Sequence, residues 1–496
     1  MQTPRFAPLR IPPLNVFANT ASLVLPRRAD YTMNPLNIED LAGIQGDILL
    51  NGFPKKAEIF CFFTIRAAQP FCQNIQAVAS SKIATGKDVK DLREQISKLP
   101  ENAIIDVAKT NIAFTSGGLT KLSNVQSTLQ RGINGLKSSA PSFVGGMQNE
   151  SERQALGDPV FTDWNRNQNG GGSIDGVLLV AGPNIKTVES ELKIVLAQLN
   201  VGGEVVVELF REVGAERKSK PGHEHFGFND GISHPEVFGI NDSPSLKFKL
   251  DKVVQSTKDT SNFVDPGVIV VGRRGDERRP KPQWMADGSF LVFRKLEQHV
   301  GKWNDFVVRE AGSSDPEKFG AQLMGRWKSG CPIHLEDQRD NSDLALRNDF
   351  NYGGMTTQGK CPLAAHIRKA HIRAGLNSSR IMRRGIPYGE DFNGGPDTDR
   401  GLLFACYQSN IEDGYRFIQT AWANRPGFPT PGAGLDVTIG QGKKTDPPSP
   451  FQIGTRSVSI NPINDFVTTK GGEYFFAPSM AVLRAGFNIS NIQARL

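Results

Sequence analysis

The 496-residue chain is poor in cysteine and has no long apolar run. Its five cysteines are widely spaced, without a CxxC pair, which excludes a disulfide framework and a zinc ribbon. The longest apolar stretch, Ile59 to Ile65, has seven residues and already contains Thr64, whereas a membrane helix needs roughly 18. We therefore expect no membrane span.

A strong excess of one charge is also missing. The chain has 58 basic and 51 acidic residues, a formal net charge of +7 that is spread along the sequence. The densest basic segment, 273–281, is interrupted by acids and a proline, a pattern typical of a solvated loop. Because no basic stretch is interleaved with aromatic residues, we do not expect nucleic acid as a partner.

The length and the high glycine and proline content indicate two or three domains with many loops. Residues 1–36 differ from the rest, because four arginines precede the first acid at Asp30. This predicts an N-terminal extension, either a targeting segment or a pro-segment. Its best apolar stretch, 16–25, contains three polar residues and is a weak secretion signal.

A strand-then-helix pattern occurs twice along the chain. Apolar runs predict strands at 59–65, 177–180, 290–293 and 402–407, and helices at 74–98, around 188–196 and at 410–422. The corresponding strands are offset by about 231 and about 225 residues. We predict a duplicated α+β unit with halves 37–215 and 262–496 and a connection at 216–261; chance recurrence is the alternative. An irregular loop is expected at 423–451 and a hairpin at 466–476.

Histidines and acids provide few candidates for chemistry. His223 and His225 flank Glu224, and such a pair on a strand can bind a metal, but no third ligand follows at a recognisable spacing. Local loop polarity is the preferred interpretation. Asp230 lies between two glycines in 227–231, which would present its carboxylate at a tight turn. An ordinary Asp-Gly turn is the alternative.

Two later segments contain candidate ligands. Cys361-Pro362 precedes an apolar turn that leads to His366, which would suit an axial haem ligand with Arg368 near the propionates. A purely structural helix histidine is the alternative. An arginine pair, Arg383-Arg384, then leads into a segment bounded by proline and glycine.

Together these segments resemble the dye-decolourising peroxidases, especially their fungal members. Residues 227–231 resemble the GxxDG signature, 361–369 the proximal-histidine segment and 383–389 the distal-arginine segment. The resemblance runs from about Asn37 to the C-terminus. It implies a duplicated ferredoxin-like α+β fold that holds one non-covalent haem b, mainly in the second half. The absence of a CxxCH sequence agrees with non-covalent binding.

The resemblance also implies roles for individual residues. His366 would ligate the iron, and Asp230 would move the peroxide proton beside Arg383, whose fixed charge stabilises the leaving oxygen. Arg383 is preferred to Arg384 because the family's arginine precedes the motif-final glycine by six positions. An aspartate in the loop after this helix, Asp436, would accept the other ring proton of His366.

An acidic pH optimum is expected, because a carboxylate with a pKa near about 3.9 still acts as a base in acid. Tyr388 and Trp422 are candidate electron relays to bulky dyes, with core packing as the alternative. Hydrogen peroxide and dyes, phenolics, alkenes or carotenoids are the expected substrates. The alternative function is haem binding or delivery, but the presence of both Asp230 and Arg383 favours a peroxidase. We expect a secreted monomer or dimer, with a cytoplasmic location as the alternative.

Overall fold

The computed structural model describes residues 36–489, apart from a set of internal gaps. The described residues belong to one compact unit. The predicted N-terminal extension lies outside the described residues except for Leu36. The gaps are 101–102, 127–128, 130–132, 134, 162–163, 165–172, 242–261, 277–278, 280, 358, 374–376, 397, 443–447 and 461–465.

The strands and helices alternate along the described chain. The strands are Ala57–Ile65 (β1), Lys109–Phe114 (β2), Gly176–Gly182 (β3), Val206–Ala215 (β4), Glu236–Val237 (β5), Phe263–Val264 (β6), Ser289–Gln298 (β7), Met382–Arg383 (β8), Ile386–Tyr388 (β9), Gly401–Gln408 (β10), Ser449–Ile453 (β11), Arg456–Ile460 (β12) and Val467–Ala477 (β13). The helices are Ala68–Ser81 (α1), Gly86–Ser97 (α2), Ser116–Ser123 (α3), Leu136–Ser139 (α4), Pro141–Gly145 (α5), Glu150–Leu156 (α6), Ile185–Leu199 (α7), Val300–Ala311 (α8), Pro316–Met324 (α9), His366–Ala370 (α10), Tyr415–Phe417 (α11) and Met480–Arg484 (α12). Within these ranges every helix is too short or too polar to cross a bilayer.

Nine strands form one antiparallel sheet in which both halves of the chain have the same strand order. The first half runs β4-β1-β3-β2, and the second runs β13-β7-β10-β8, with β9 also paired to β10. In the first half, β4 lies beside β1, and β3 lies between β1 and β2. In the second half, β13 lies beside β7 in the same way, and β10 lies between β7 and the short strands β8 and β9. The halves join where Phe476 pairs with Phe114. The α+β class is confirmed, and the shared order is the one that the predicted duplication requires.

The sheet curls so that strands from the two halves face each other. Three strands separate β1 from β7 in the sheet, yet the ring centroids of Phe62 and Phe293 are 5.1 Å apart. At the sheet's ends, a Cβ on Gly214 of β4 would lie 2.3 Å from the side chain of Ile386 in β9. Both edges therefore approach each other around a core of aromatic side chains, which packs without room for added atoms.

The strand β1 and the helix α7 form where the sequence predicts a strand and a helix, and local sequence explains both. All nine residues of β1 are buried, as a continuous apolar run predicts for a strand covered on both faces. In α7, the side chain of Asn184 accepts a hydrogen bond from the backbone N–H of Thr187 and caps the N-terminus. Its residues at 188, 192, 195 and 199 are buried, so its apolar face packs on the sheet.

Three predicted elements differ from the structure. The single helix predicted at 74–98 is two helices, because Thr85 and Asp88 form a capping box that starts α2. The helix predicted at 410–422 begins only at Tyr415 and continues as a π-helix, Ile418–Ala423. The hairpin predicted at 466–476 is wrong: β13 passes straight through, with an irregularity between Thr469 and Gly471.

Candidate functional site

A cavity lies among the predicted site residues. Its walls are largely apolar, and the polar groups that face it include Asp230, Arg326, His366 and Arg383. The apolar side chains include Phe228, Leu296, Met324, Leu402 and Phe404. A large apolar space with a few convergent polar groups is the usual form of a cofactor or ligand site.

His366 faces this cavity from the first position of α10. Its Nδ1 lies 2.8 Å from Oδ2 of Asp436, a fully buried carboxylate. Burial lowers the pKa of His366, but Asp436 raises it above its usual value overall. With Nδ1–H donating to Asp436, Nε2 carries the lone pair. Since 28% of the side chain is accessible and the residue lines the cavity, the ring is suited to ligate a metal there.

Asp436 is itself held rigidly by its own loop. Its Oδ1 accepts hydrogen bonds from the backbone N–H of Thr438 at 2.8 Å and of Ile439 at 3.0 Å. The hydroxyl of Thr438 also donates to this oxygen at 2.8 Å. Although burial raises the pKa of Asp436, His366 and these donors hold it below the usual value. The predicted pairing of Asp436 with His366 is present in the structure.

Asp230 reaches the cavity from the loop that follows β4. Gly227 and Gly231 have φ values of +95° and +82°, which favour glycine. The backbone N–H of Asp230 donates to the carbonyl of Gly222 at 3.0 Å, which fixes the turn. Its Oδ1 accepts from the backbone N–H of Gly231 and from Nη1 of Arg383. Within the described chain, Oδ2 has no protein partner and is available to accept a proton.

The structure brings Arg383, and not Arg384, to Asp230. Arg383 ends β8 and Arg384 follows it directly. Because successive residues of an extended chain point to opposite faces, their side chains point in opposite directions. Arg384 donates instead to the carbonyls of Asp47 and Ile48 at 2.6 and 3.3 Å. Burial raises the pKa of Asp230, but the charge and hydrogen bond of Arg383 hold it below the usual range. Asp230 is therefore ionised in moderately acidic solution.

Two further buried arginines line the cavity, and neither was predicted from the sequence. Arg326 donates to carbonyls at Gly330 and Arg347, and Arg380 donates to Asn262 at 3.0 Å. Burial, together with neighbouring arginines, lowers the pKa of both to about 9. Among the described residues, no carboxylate lies within ion-pair distance of either. Buried cations without counter-ions favour an anionic ligand group.

Arg368 is not brought together with these residues. Its guanidinium donates to the carbonyls of Cys361 at 2.7 Å and Thr357 at 2.7 Å and lies 4.7 Å from the ring centroid of Tyr352. It is not among the described residues that line the cavity. The guanidinium instead fixes the loop before His366, and a place for Arg368 near propionates stays a prediction.

The two candidate relay residues are buried. Tyr388 is 6% exposed and donates to Oδ1 of Asp399 at 2.8 Å. Trp422 is 2% exposed, and its ring stacks on Phe428 with centroids 5.4 Å apart. This is the packing that the core alternative expects, so a role as relays stays a prediction.

His223 and His225 do not converge on a common point. His223 Nδ1 lies 2.8 Å from the carbonyl of Pro221, and His225 Nε2 lies 2.9 Å from that of Tyr388. No group of three metal-ligating side chains occurs in the described part of the chain. Both histidines make the local backbone contacts that the preferred interpretation, loop polarity, expects.

The chemistry of the cavity suits one kind of occupant. An imidazole with a free Nε2 suits an iron ligand, the apolar walls suit a flat hydrophobic macrocycle, and the unpaired arginines suit its carboxylates. The residues present therefore fit haem b, and the Asp230–Arg383 pair adds an acid–base group with a fixed cation.

Comparison with known proteins assigns the chain to a family. Residues 43–217 match the family model of the DyP dimeric alpha+beta barrel domain, and residues 258–427 match that of the Dyp-type peroxidase C-terminal domain. Together the matches extend over more than half of the chain and define a DyP-type peroxidase.

Individual relatives are similar over nearly the whole length. The chain is 33% identical to dye-decolorizing peroxidase msp1 of Mycetinis scorodonius over 490 residues, 91% of this chain and 88% of that protein. A solved ancestral D-type dye decolorizing peroxidase is 36% identical with a TM-score of 0.77, covering 92% of this chain and 100% of that one. A dye-decolorizing peroxidase solved with 2,6-dimethoxyphenol is 30% identical with a TM-score of 0.74, covering 90% of this chain and 99% of that one.

The chain thus belongs to the dye-decolourising peroxidase family, as its motifs predicted. The predicted enzyme class, an oxidoreductase that uses hydrogen peroxide, is confirmed.

Proposed function

We propose that the cavity holds one haem b non-covalently and that the enzyme reduces hydrogen peroxide while it oxidises dyes and phenolics. The observation that carries this proposal is the convergence of two pairs, His366–Asp436 and Asp230–Arg383, on a single cavity. Alkenes and carotenoids are further candidate reductants. The phenol bound in a relative's structure supports the phenolic class.

In this proposal each residue performs one task. Bound haem would supply the iron and the electrons for reduction of peroxide. His366 would hold that iron, while Asp436 keeps the ring oriented and electron-rich. Oδ2 of Asp230 accepts the proton of the peroxide and returns it to the oxygen that leaves as water; such transfers contribute about 10²–10⁴-fold. Arg383 stabilises the negative charge on that oxygen.

The pKa of Asp230 determines the expected pH dependence. Because Arg383 holds this pKa below its usual range, Asp230 remains a base in acid, where a free histidine with a pKa of about 6.5 would be protonated. This supports an acidic optimum. Secretion and the oligomeric state, monomer or dimer, stay predictions; fractionation of the source cells and sedimentation of the purified chain test them.

The test is a haemin titration of the haem-free chain, followed by visible spectroscopy and a peroxide-dependent dye assay. His366→Ala is expected to lose the histidine-ligand spectrum and activity, while His334→Ala, a change outside the cavity lining, keeps both. If the parent binds haem but shows no peroxide-dependent turnover at any pH, the protein would be a haem-binding or haem-delivery protein instead.

A further inference from the structure

A second, smaller cavity adjoins the main one. It shares Asp230 and Arg383 with the main cavity. The lining is more polar, and half-buried residues such as Lys55 and Glu216 lie at it. The Asp230–Arg383 pair is therefore accessible from two cavities, and the second one connects it to polar, partly exposed groups.

His234 lines this second cavity beside Asp230. Its Nδ1 is buried and has no hydrogen-bond partner, and within the described chain neither ring nitrogen is pinned. Nε2 lies 3.8 Å from the position that a Cβ on Gly231 would occupy, next to the residue that presents the carboxylate. The backbone is fixed, since the carbonyl of His234 accepts from Asn262 at 2.9 Å. The backbone of His234 is therefore fixed by a hydrogen bond, whereas its ring makes no hydrogen bond to the described residues.

The charges around His234 favour the neutral ring. Burial and the positive charges of Arg383 and Arg384 lower its pKa well below the usual value, against the opposite effect of Asp230. The groups that face the ring or share its cavity are Asp230, Arg380, Arg383, Arg384, Lys55, Glu216, His223 and Glu224. A neutral imidazole can accept a proton, and the nearby arginines then favour its transfer to the carboxylate.

The proposed reaction needs such a transfer by its stoichiometry. Reduction of hydrogen peroxide follows H₂O₂ + 2e⁻ + 2H⁺ → 2H₂O, so two protons enter in addition to the one that Asp230 accepts and returns. A bulky reductant oxidised at a distance delivers electrons without bringing its protons to Asp230. The protons must therefore reach the cavity from solvent by another route, and Asp230, which exchanges the peroxide proton, is the group that would receive them.

We propose that His234 relays these protons from the second cavity to Asp230. The inference rests on the proposed function. In each transfer Nε2 accepts a proton from a hydronium ion of the solvent in the second cavity, so that an N–H bond forms as an O–H bond breaks and the hydronium becomes water. The N–H bond then breaks as Oδ2 of Asp230 gains the proton, which restores the neutral ring. His234 acts through Asp230 and is thus a positioning and proton-relaying residue.

The test compares His234→Gln and His234→Asn with the parent and with His299→Gln, which changes a histidine outside both cavities. We expect a kcat about tenfold lower in the His234 variants, less than a direct acid–base group contributes because water offers a bypass. The solvent deuterium isotope effect on kcat should rise, and added formic acid should restore turnover.

The stopped-flow rate of the first reaction with peroxide should stay within about twofold of the parent, because Asp230 recycles that proton. Melting temperature and haem stoichiometry check that the variants fold.

A readout without haem accompanies the kinetics. In the ¹⁵N-histidine spectrum of the haem-free chain, the signal that His234→Gln removes should stay neutral below pH 6.5 and shift when Asp230→Asn is introduced. Equal kcat and equal isotope effects in parent and His234 variants would overturn the relay, as would a His234 signal that is insensitive to Asp230→Asn. Haem binding without turnover in the parent would instead refute the proposed function, and the relay with it.

Discussion

Replacement of Asp436 by asparagine is expected to weaken haem binding strongly. The carboxylate makes four hydrogen bonds, three at Oδ1 from Thr438 and Ile439 and one at Oδ2 from Nδ1 of His366. Asparagine can keep its carbonyl oxygen at the Oδ1 position, so the changed atom is the one that faces the histidine. There an NH₂ group meets the Nδ1–H, and two donors oppose each other.

One way for the ring to relieve this conflict is to move its proton to Nε2, which removes the lone pair that would bind iron; the other is to donate from Nδ1 to the hydroxyl oxygen of Thr438, 2.8 Å away. Loss of such a partner typically costs 10–100-fold in metal affinity, about 1.4–2.7 kcal/mol, and we expect the upper end. Thr438→Val removes the hydroxyl that donates to Asp436 but leaves the charge of the carboxylate, and it should weaken haem binding by about 1 kcal/mol. Haemin titration of the haem-free variants, followed in the visible spectrum, measures both. Parent-like affinity in Asp436→Asn would refute the reasoning.

Other consequences arise from the same geometry. In Arg383→Leu the pKa of Asp230 should rise, since the arginine now lowers it; the acid limb of the pH–activity profile should move to higher pH, and an unmoved limb would contradict the role of the ion pair. Arg326→Met should reduce haem affinity if its charge meets a haem carboxylate, and should also lower the melting temperature because the carbonyls of Gly330 and Arg347 lose their donor; parent-like haem affinity in the folded variant would remove Arg326 from the site. Gly231→Ala places a side chain at φ +82° and should cost about 1–2 kcal/mol in a denaturant titration, with parent stability as the contrary result. Trp422→Phe should slow oxidation of a bulky dye but not of a small phenol; equal slowing of both would argue against a relay.

Local patterns were sufficient for the strands that build the sheet. The apolar runs that begin at Ile59 and Phe290 each become buried strands, because a run covered on both faces leaves a signal in the sequence itself. The strand β13 was predicted as a hairpin because Gly471-Gly472 is a typical turn signal. The structure uses these glycines differently: a Cβ at Gly471 would lie 2.1 Å from the ring of Trp164. Glycine is needed at position 471 because the ring of Trp164, which is distant in the sequence, packs against it. Local sequence cannot distinguish such a glycine pair from a turn.

The candidate site was predictable to the extent that short motifs carried it. Asp230 and His366 lie in contiguous segments whose residues appear together in the sequence. Arg326 and Arg380 become relevant only because burial deprives them of carboxylate partners, which depends on the complete fold. His234 follows the 227–231 segment by three residues, but the absence of a partner at its Nδ1 within the described chain is visible only in three dimensions.

The most direct test of the central claim is peroxide-dependent dye oxidation by Asp230→Asn loaded with one haem per chain, beside the parent and Asp91→Asn, a change on the exposed surface of α2. We predict that all three bind haem with the same spectrum, that Asp91→Asn keeps parent activity in acid, and that Asp230→Asn loses about 10²–10⁴-fold. Parent-like turnover in haem-loaded Asp230→Asn would contradict the account.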